Sequence, residues 1–279
     1  MLTASELKTF LRTHDLRLTK RLGQHHLVDS RAIMRIAEAC RLSSEDTVVE
    51  IGAGLGALTE ALAARAHHVI AVEVDPKICR LLKQRMASHP DVTVQCGDIL
   101  EFPWTQASGA IVVGAIPYHI TSPILVALAE SRATLARIFL VIQREVARRL
   151  AAKPGTKAYG RLTVLAQYCW NVVERLTIPR SAFFPQPDVD SACVELIPHP
   201  QPRVTVPDEA RFFALVKAAF SQRRKTLVNC LMSESALSVS RHDAQVLLRR
   251  QGLPPRIRGE MLSLEQFAAL SNAIIPANR

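Results

Sequence analysis

The sequence predicts an α/β fold with a mostly parallel sheet, plus a small all-α domain after it, and three observations lead there. Apolar, β-branched runs alternate with segments of helical composition over the first two-thirds of the chain. One of them, residues 47–51, runs straight into glycines at alternate positions, Gly52, Gly54 and Gly56. Past a proline-rich stretch at 198–207 the strand signals stop and the remainder reads as helix. An unbroken apolar run marks a strand buried on both faces, as parallel strands between helical layers are.

In chain order, residues 5–14 read as a short helix. A basic cluster (Arg17, Lys20, Arg21) follows, then Gly23-Gln24-His25-His26-Leu27, whose glycine and polar donors suit a loop closing over a ligand. Adjacent His25 and His26, with no third ligand close in sequence, do not make a metal site. Asp29 or Ser30 is placed to cap a helix over 31–40. The strand at 47–51, its glycine turn and the helix at 57–66 open a nucleotide-binding βαβ unit, the glycines allowing a tight turn and close backbone approach to a ligand. The next strand, 68–75, ends in acidic residues, and a carboxylate about 20 residues past the glycines is placed to accept from two ribose hydroxyls. The spacing G-x-G-x-G and a helix start poor in phosphate-binding character favour a nucleoside without a pyrophosphate. S-adenosylmethionine fits that description, and another nucleotide ligand remains open at this point.

A helix at 76–87 and a strand at 92–96 lead to Asp98. Beside the crevice, Asp98 either accepts from an adenine amine or caps a turn. The strand at 109–113 runs into Gly114-Ala115-Ile116-Pro117-Tyr118. A proline followed by an aromatic makes a rigid turn that presents a ring at the strand end. Tyr118 either stacks on a flipped base or packs as a half-buried core tyrosine. A strand at 138–143, a basic helix at 144–152, a basic and aromatic loop at 153–161 and a helix at 162–170 follow. The segments 171–178 and 191–197 read as a closing antiparallel pair. Between them Phe183 or Phe184, fixed by neighbouring prolines, offers a second wall to a base or packs in the core. The helical remainder, from about 205, carries the clusters Arg223-Arg224-Lys225, Arg249-Arg250 and Arg256 with Arg258.

The chain has 279 residues and a formal net charge of +10, with a pI near 9.7, a balance that points to a polyanionic partner, nucleic acid first. Ordinary apolar content excludes disorder. No apolar run is long enough to span a bilayer, and the N-terminus lacks a signal-peptide pattern. The six cysteines form no C-x-x-C pair and read as small core residues in a reducing cytosol, rather than as a metal site or a disulfide set. A cytoplasmic monomer is the expectation.

Several motifs then fall in one order. Residues 23–27 resemble G-Q-[NH]-F-L, residues 50–56 E-I-G-x-G-x-G, and Gly97-Asp98 the [GQ]-D after a third strand. Residues 157–162 also fit, residues 183–191 match F-x-P-x-P-x-V-D-S, and residues 219–227 are similar to A-F-x-x-R-R-K-x-L. Over nearly its whole length the chain resembles the KsgA/RsmA ribosomal RNA adenine dimethyltransferases, relatives of the Erm methyltransferases. The resemblance implies a Rossmann-like class I methyltransferase domain at 1–200 that binds S-adenosylmethionine, and a helical RNA-binding domain at 201–279. It implies N6,N6-dimethylation of two adjacent adenosines near the 3′ end of 16S rRNA, with the small ribosomal subunit as partner. Gln24, His25, Leu27, Glu50, Gly52, Gly54, Glu73, Asp98 and Ala115 fall at cofactor-binding positions. Glu73 is expected on the ribose and Asp98 on the adenine amine. Tyr118 and Phe183 are expected to sandwich the target base, beside the catalytic loop residues Ile116 and Pro117.

In the family that loop reads N-[LI]-P-[YF], and its Asn oxygen and the next carbonyl accept from the target amine. Ala115 replaces the Asn, which removes one oriented acceptor and costs about 10²–10³ in rate by analogy with an oxyanion-hole donor. His26 replaces the family's Phe. A non-catalytic small-subunit assembly factor is the second reading. A methyltransferase of small molecules is a third, at odds with the basic helical domain.

Overall fold

The computed structural model describes residues 4–13, 25–199 and 202–274. Two compact units divide the chain. The first comprises residues 1–147 and 172–198, the second 148–171 and 199–279. The sequence-stated boundary at 200/201 lies beside the later crossing, at 198/199. The segment 148–171, read from sequence as part of the first domain, groups instead with the helical remainder.

The first unit begins with helix α1 (Ala4–Thr13) and a two-residue strand β1 (His26–Leu27), where the sequence predicts a loop. Two residues are too few to show periodicity. Their partner is β8 (Phe183–Phe184), with Leu27 opposite Phe183, more than 150 positions away. Helix α2 (Ser30–Ala39) is capped by Asp29, whose carboxylate accepts from the Ala32 amide. Strand β2 (Thr47–Ile51), helix α3 (Ala57–Ala63), strand β3 (His68–Glu73), helix α4 (Pro76–Met86) and strand β4 (Val92–Cys96) complete the βαβαβ half. Asp75 caps α4 through two backbone amides, and Pro76 sits in its first turn, where no N–H is required.

Strand β5 (Ile111–Ala115), helix α5 (Thr121–Glu130), strand β6 (Arg137–Gln143) and helix α6 (Arg144–Leu150) follow. After α7 (Arg161–Cys169) come β7 (Trp170–Ile178) and β9 (Ser191–Pro198). The main sheet has the order β4-β3-β2-β5-β6-β9-β7. Its first five strands are parallel, and β9 joins β6 antiparallel. The chain runs outward from β2 to β3 and then back past it to β5, so the sheet has its switch point between β2 and β5. Ligands of open α/β sheets bind outside the carboxyl ends of the strands at that point. Ile33, Ile36, Val48, Leu62, Val69 and Phe139 fill the layer between α2, α3 and the sheet.

The six cysteines do not all remain thiols. Cys79 and Cys96 are joined in a disulfide, while Cys40, Cys169, Cys193 and Cys230 are free and buried. The pair corrects the sequence expectation. Helix α4 packs along β4 and brings two cysteines 17 residues apart to a Cα separation of 5.7 Å, a juxtaposition that sequence spacing does not announce.

In the second unit, α7 belongs with α8 (Glu209–Ala219), α9 (Leu227–Met232), α10 (Arg241–Arg250) and α11 (Leu264–Ala273). Phe212, Leu215, Leu231, Leu248 and Phe267 make its core. Asp208, Ser240 and Ser263 cap three of these helices, Ser263 in a reciprocal box with Gln266.

Candidate active site

A cavity of about 220 Å³ opens at the switch point, within the first unit. Its floor is the turn after β2. Gly52 and Gly54 have φ of +70° and +58°, values that glycine adopts without a Cβ clash. At Gly54 a Cβ would lie 2.9 Å from His26 Nδ1, so this residue is required by neighbour as well as by backbone.

Glu73 closes β3 and is 6% exposed. Oε2 accepts from the Gly54 amide and Oε1 from the Asp75 amide, both at 2.9 Å. The carboxylate thus ties the glycine turn to the start of α4, and each oxygen keeps a lone pair for a hydroxyl. Burial pushes its pKa up, against the pull of those amides. Asp98 follows β4 on the far wall. Oδ1 caps a short 3₁₀ turn by accepting from the Leu100 amide at 2.9 Å, which realises the cap expected as its alternative role while Oδ2 stays available. Ile99 lines the cavity, and Val74 and Leu100 on its rim are 54% and 41% exposed. Such isolated apolar side chains beside two carboxylates match the flat face and hydroxyls of a nucleoside.

The opposite wall is the turn after β5. Ala115, Ile116, Pro117 and Tyr118 all line the cavity. The Ile116 carbonyl takes no hydrogen bond among the described residues. The Tyr118 hydroxyl is 2.8 Å from Ser191 Oγ at the start of β9, which fixes the ring. Its pKa is raised by burial, so the phenol stays neutral. The His25 ring lies 5.5 Å from that of Tyr118, tilted by 31°. His25 Nδ1 is 2.6 Å from the Pro185 carbonyl. A carbonyl only accepts, so Nδ1 carries the proton.

The expected site residues do not all reach this cavity. His25, Gly52, Gly54, Glu73, Asp98, Ala115, Ile116, Pro117, Tyr118 and Phe183 do. Phe183 also belongs to the core with Leu27 and is only 6% exposed, so the core packing posed as one alternative is realised. Leu27 and Glu50 lie behind, on an adjoining cavity of about 60 Å³. Gln24 lies outside the described residues. Glu50 is 2% exposed and accepts from Thr59 Oγ1 at 2.5 Å. Burial pushes its carboxyl up to about 8, with the Glu73 charge adding to it and the Thr59 bond opposing. His26, half-buried under the glycine turn, is driven down to about 4 by desolvation and then by His25, and its Nε2 has no partner among the described residues. Sequence reasoning missed Ser191 and Thr59 as supports. Ser191 stood at the end of a quoted motif, and only the fold shows that it meets Tyr118.

A family model described as ribosomal RNA adenine dimethylase matches residues 16–274. The chain belongs to this family. It is 40% identical to the ribosomal RNA small subunit methyltransferases A of Bacillus mycoides and Bacillus cereus, over 98% of this chain and 97% of each relative. A dimethyladenosine transferase from Plasmodium falciparum superposes with a TM-score of 0.71 at 27% identity, covering 88% of this chain and 96% of that one. The 23S rRNA methyltransferase ErmE gives 0.64 at 29% identity, over 89% and 98%. The chain is an S-adenosylmethionine-dependent methyltransferase, and the glycine turn with Glu73 and Asp98 fits that nucleoside. The assembly-factor reading is not favoured.

Proposed function

We propose that this protein dimethylates N6 of two adjacent adenosines near the 3′ end of 16S rRNA in the small ribosomal subunit, acting as a cytoplasmic monomer. The observation that carries the reading is one cavity walled on one side by Glu73 and Asp98 and on the other by the Ile116-Pro117-Tyr118 turn. S-adenosylmethionine, when bound, supplies an electrophilic methyl group. In this reading Glu73 accepts from the ribose hydroxyls, Asp98 Oδ2 accepts from the adenine amine, and Gly52 and Gly54 let the backbone approach.

The target amine is a poor nucleophile because its lone pair is delocalised into the purine. The Ile116 carbonyl, free of other bonds among the described residues, accepts an N–H and favours a pyramidal nitrogen. Tyr118, held by Ser191, and Phe183 keep the base in register, so the contribution is positioning and electrostatics. Ala115 offers no side-chain acceptor, and its place is the weak point of the site. The test is transfer of labelled methyl to unmethylated small subunits by this chain and by Ala115→Asn. The variant is expected to be faster by about 10²–10³. Equal rates would overturn this account of amine activation. Subunit binding without transfer by either would return the assembly-factor reading.

A further inference from the structure

The opposite edge of the sheet, at the amino ends of the parallel strands, carries a second constructed feature. Glu195 lies in β9 opposite Phe139, near the start of β6, and its side chain is fully buried. It does not stand alone. Arg41 Nη2 reaches Glu195 Oε1 at 2.7 Å, Arg175 Nε donates to Oε2 at 2.5 Å, and a second Arg175 nitrogen also contacts Oε2. Arg137 Nη2 donates to the Arg41 carbonyl at 3.3 Å, which ties a third guanidinium to the group.

The buried carboxylate fixes the inner ends of Arg41 and Arg175 while leaving their side chains 58% and 34% exposed. A depression of about 370 Å³ lies over them, lined by Arg35, Glu38, Ala39, Arg41, Arg175 and Leu176. Arg35 is exposed and makes no hydrogen bond or ion pair among the described residues. Four arginines therefore face two carboxylates, one of which, Glu195, is sealed from solvent. Here the surplus is cationic and pre-ordered.

We propose that this edge is a second RNA-docking surface, which grips a phosphate backbone remote from the reacting base. The proposal rests on the reading that the substrate is ribosomal RNA. The surface lies about four strand residues from the Ser191 end of β9, about 13 Å along the strand, so one RNA can touch both edges of the sheet. Guanidinium forks held at their base present the remaining N–H groups to phosphate oxygens with little ordering left to do. Contacts of this kind position RNA without reading its sequence.

The test is binding to unmethylated small subunits and to naked 16S rRNA across a range of KCl, for the wild type, Arg35→Gln with Arg41→Gln, and Arg35→Glu alone. Arg35 makes no hydrogen bond or ion pair among the described residues, so the single variant stays informative if the double one is unstable. The double variant is expected to bind both targets about tenfold more weakly, with the slope of log K against log salt smaller by about 2, one for each lost contact. Affinity for S-adenosylmethionine stays unchanged. Wild-type slopes and affinities in both variants would overturn the proposal and leave the cluster a structural ion pair. Weaker binding to subunits with unchanged binding to naked RNA would also overturn it, in favour of an acidic protein partner. Methyl transfer by the wild type, run alongside, tests the dimethyltransferase reading separately.

Discussion

Glu50 is a carboxylate placed where a carboxylate is costly. Its motif position reads as a ligand contact, yet it sits beneath the glycine turn, bonded to Thr59 and held up near 8 by burial. An acid whose pKa is raised on folding keeps its proton in the native state after the unfolded chain has lost it. The Glu50 contribution to native stability is then fully present below about 4.5 and is lost as pH rises toward about 8. Glu50→Gln is expected to flatten the melting temperature against pH over that window, and an unchanged slope would show that Glu50 does not titrate there. His26 makes the complementary case. A neutral imidazole with an orphan buried nitrogen costs about 1–3 kcal/mol relative to a satisfied or apolar group, so His26→Phe is expected to raise the unfolding midpoint in denaturant. Loss of stability would mean that Nε2 has a partner in solution.

The elements were legible where the pattern was long. Val48-Val49 and Val69-Ile70 show as strands that the fold covers on both sides, and Val92-Thr93-Val94 shows by its β-branched run although it forms the sheet edge and Thr93 is exposed. Asp29 shows as a cap, with Ser30 as its alternative, because the carboxylate must stand at the residue before the helix, whereas Asp75 reads from sequence as a strand end and only the structure makes it the cap of α4. Strand β1 was not legible, because its only reason to be extended is Phe183-Phe184 far along the chain. The Cys79–Cys96 bond and the Glu195 cluster were hidden for the same reason, since each is a meeting of residues from separate elements. The disulfide closes a loop of 17 residues between α4 and β4, and a cross-link of this size is worth about 3 kcal/mol through the unfolded chain. Cys79→Ser and Cys96→Ser are expected to lower stability by similar amounts, and the double variant by no more than either. Additive losses would show that the two thiols act independently.

At the scale of the whole molecule, net charge +10 says more about partner than about fold. Affinity for small subunits is expected to fall at least about tenfold between 50 and 200 mM salt. Turnover on free adenosine that ignored salt would instead support a small-molecule substrate. The candidate site was legible in outline because Gly52, Gly54, Glu73 and Asp98 each end or follow a recognisable strand. Its supports were not, because Tyr118 and Ser191 meet only when a late strand returns.

That return has a consequence for synthesis of the protein. The chain leaves the first unit at residue 147 and re-enters it at residue 172, and the stretch that re-enters brings Phe183 and Ser191. A nascent chain halted after residue 118 and before residue 191 carries Glu73, Asp98 and Tyr118, but neither Ser191, which anchors the Tyr118 hydroxyl, nor β9. The residues proposed to hold the cofactor are thus encoded early and the proposed wall for the base late, so on that reading the chain is synthesised with its methyl-donor residues ahead of the last of those that place the acceptor.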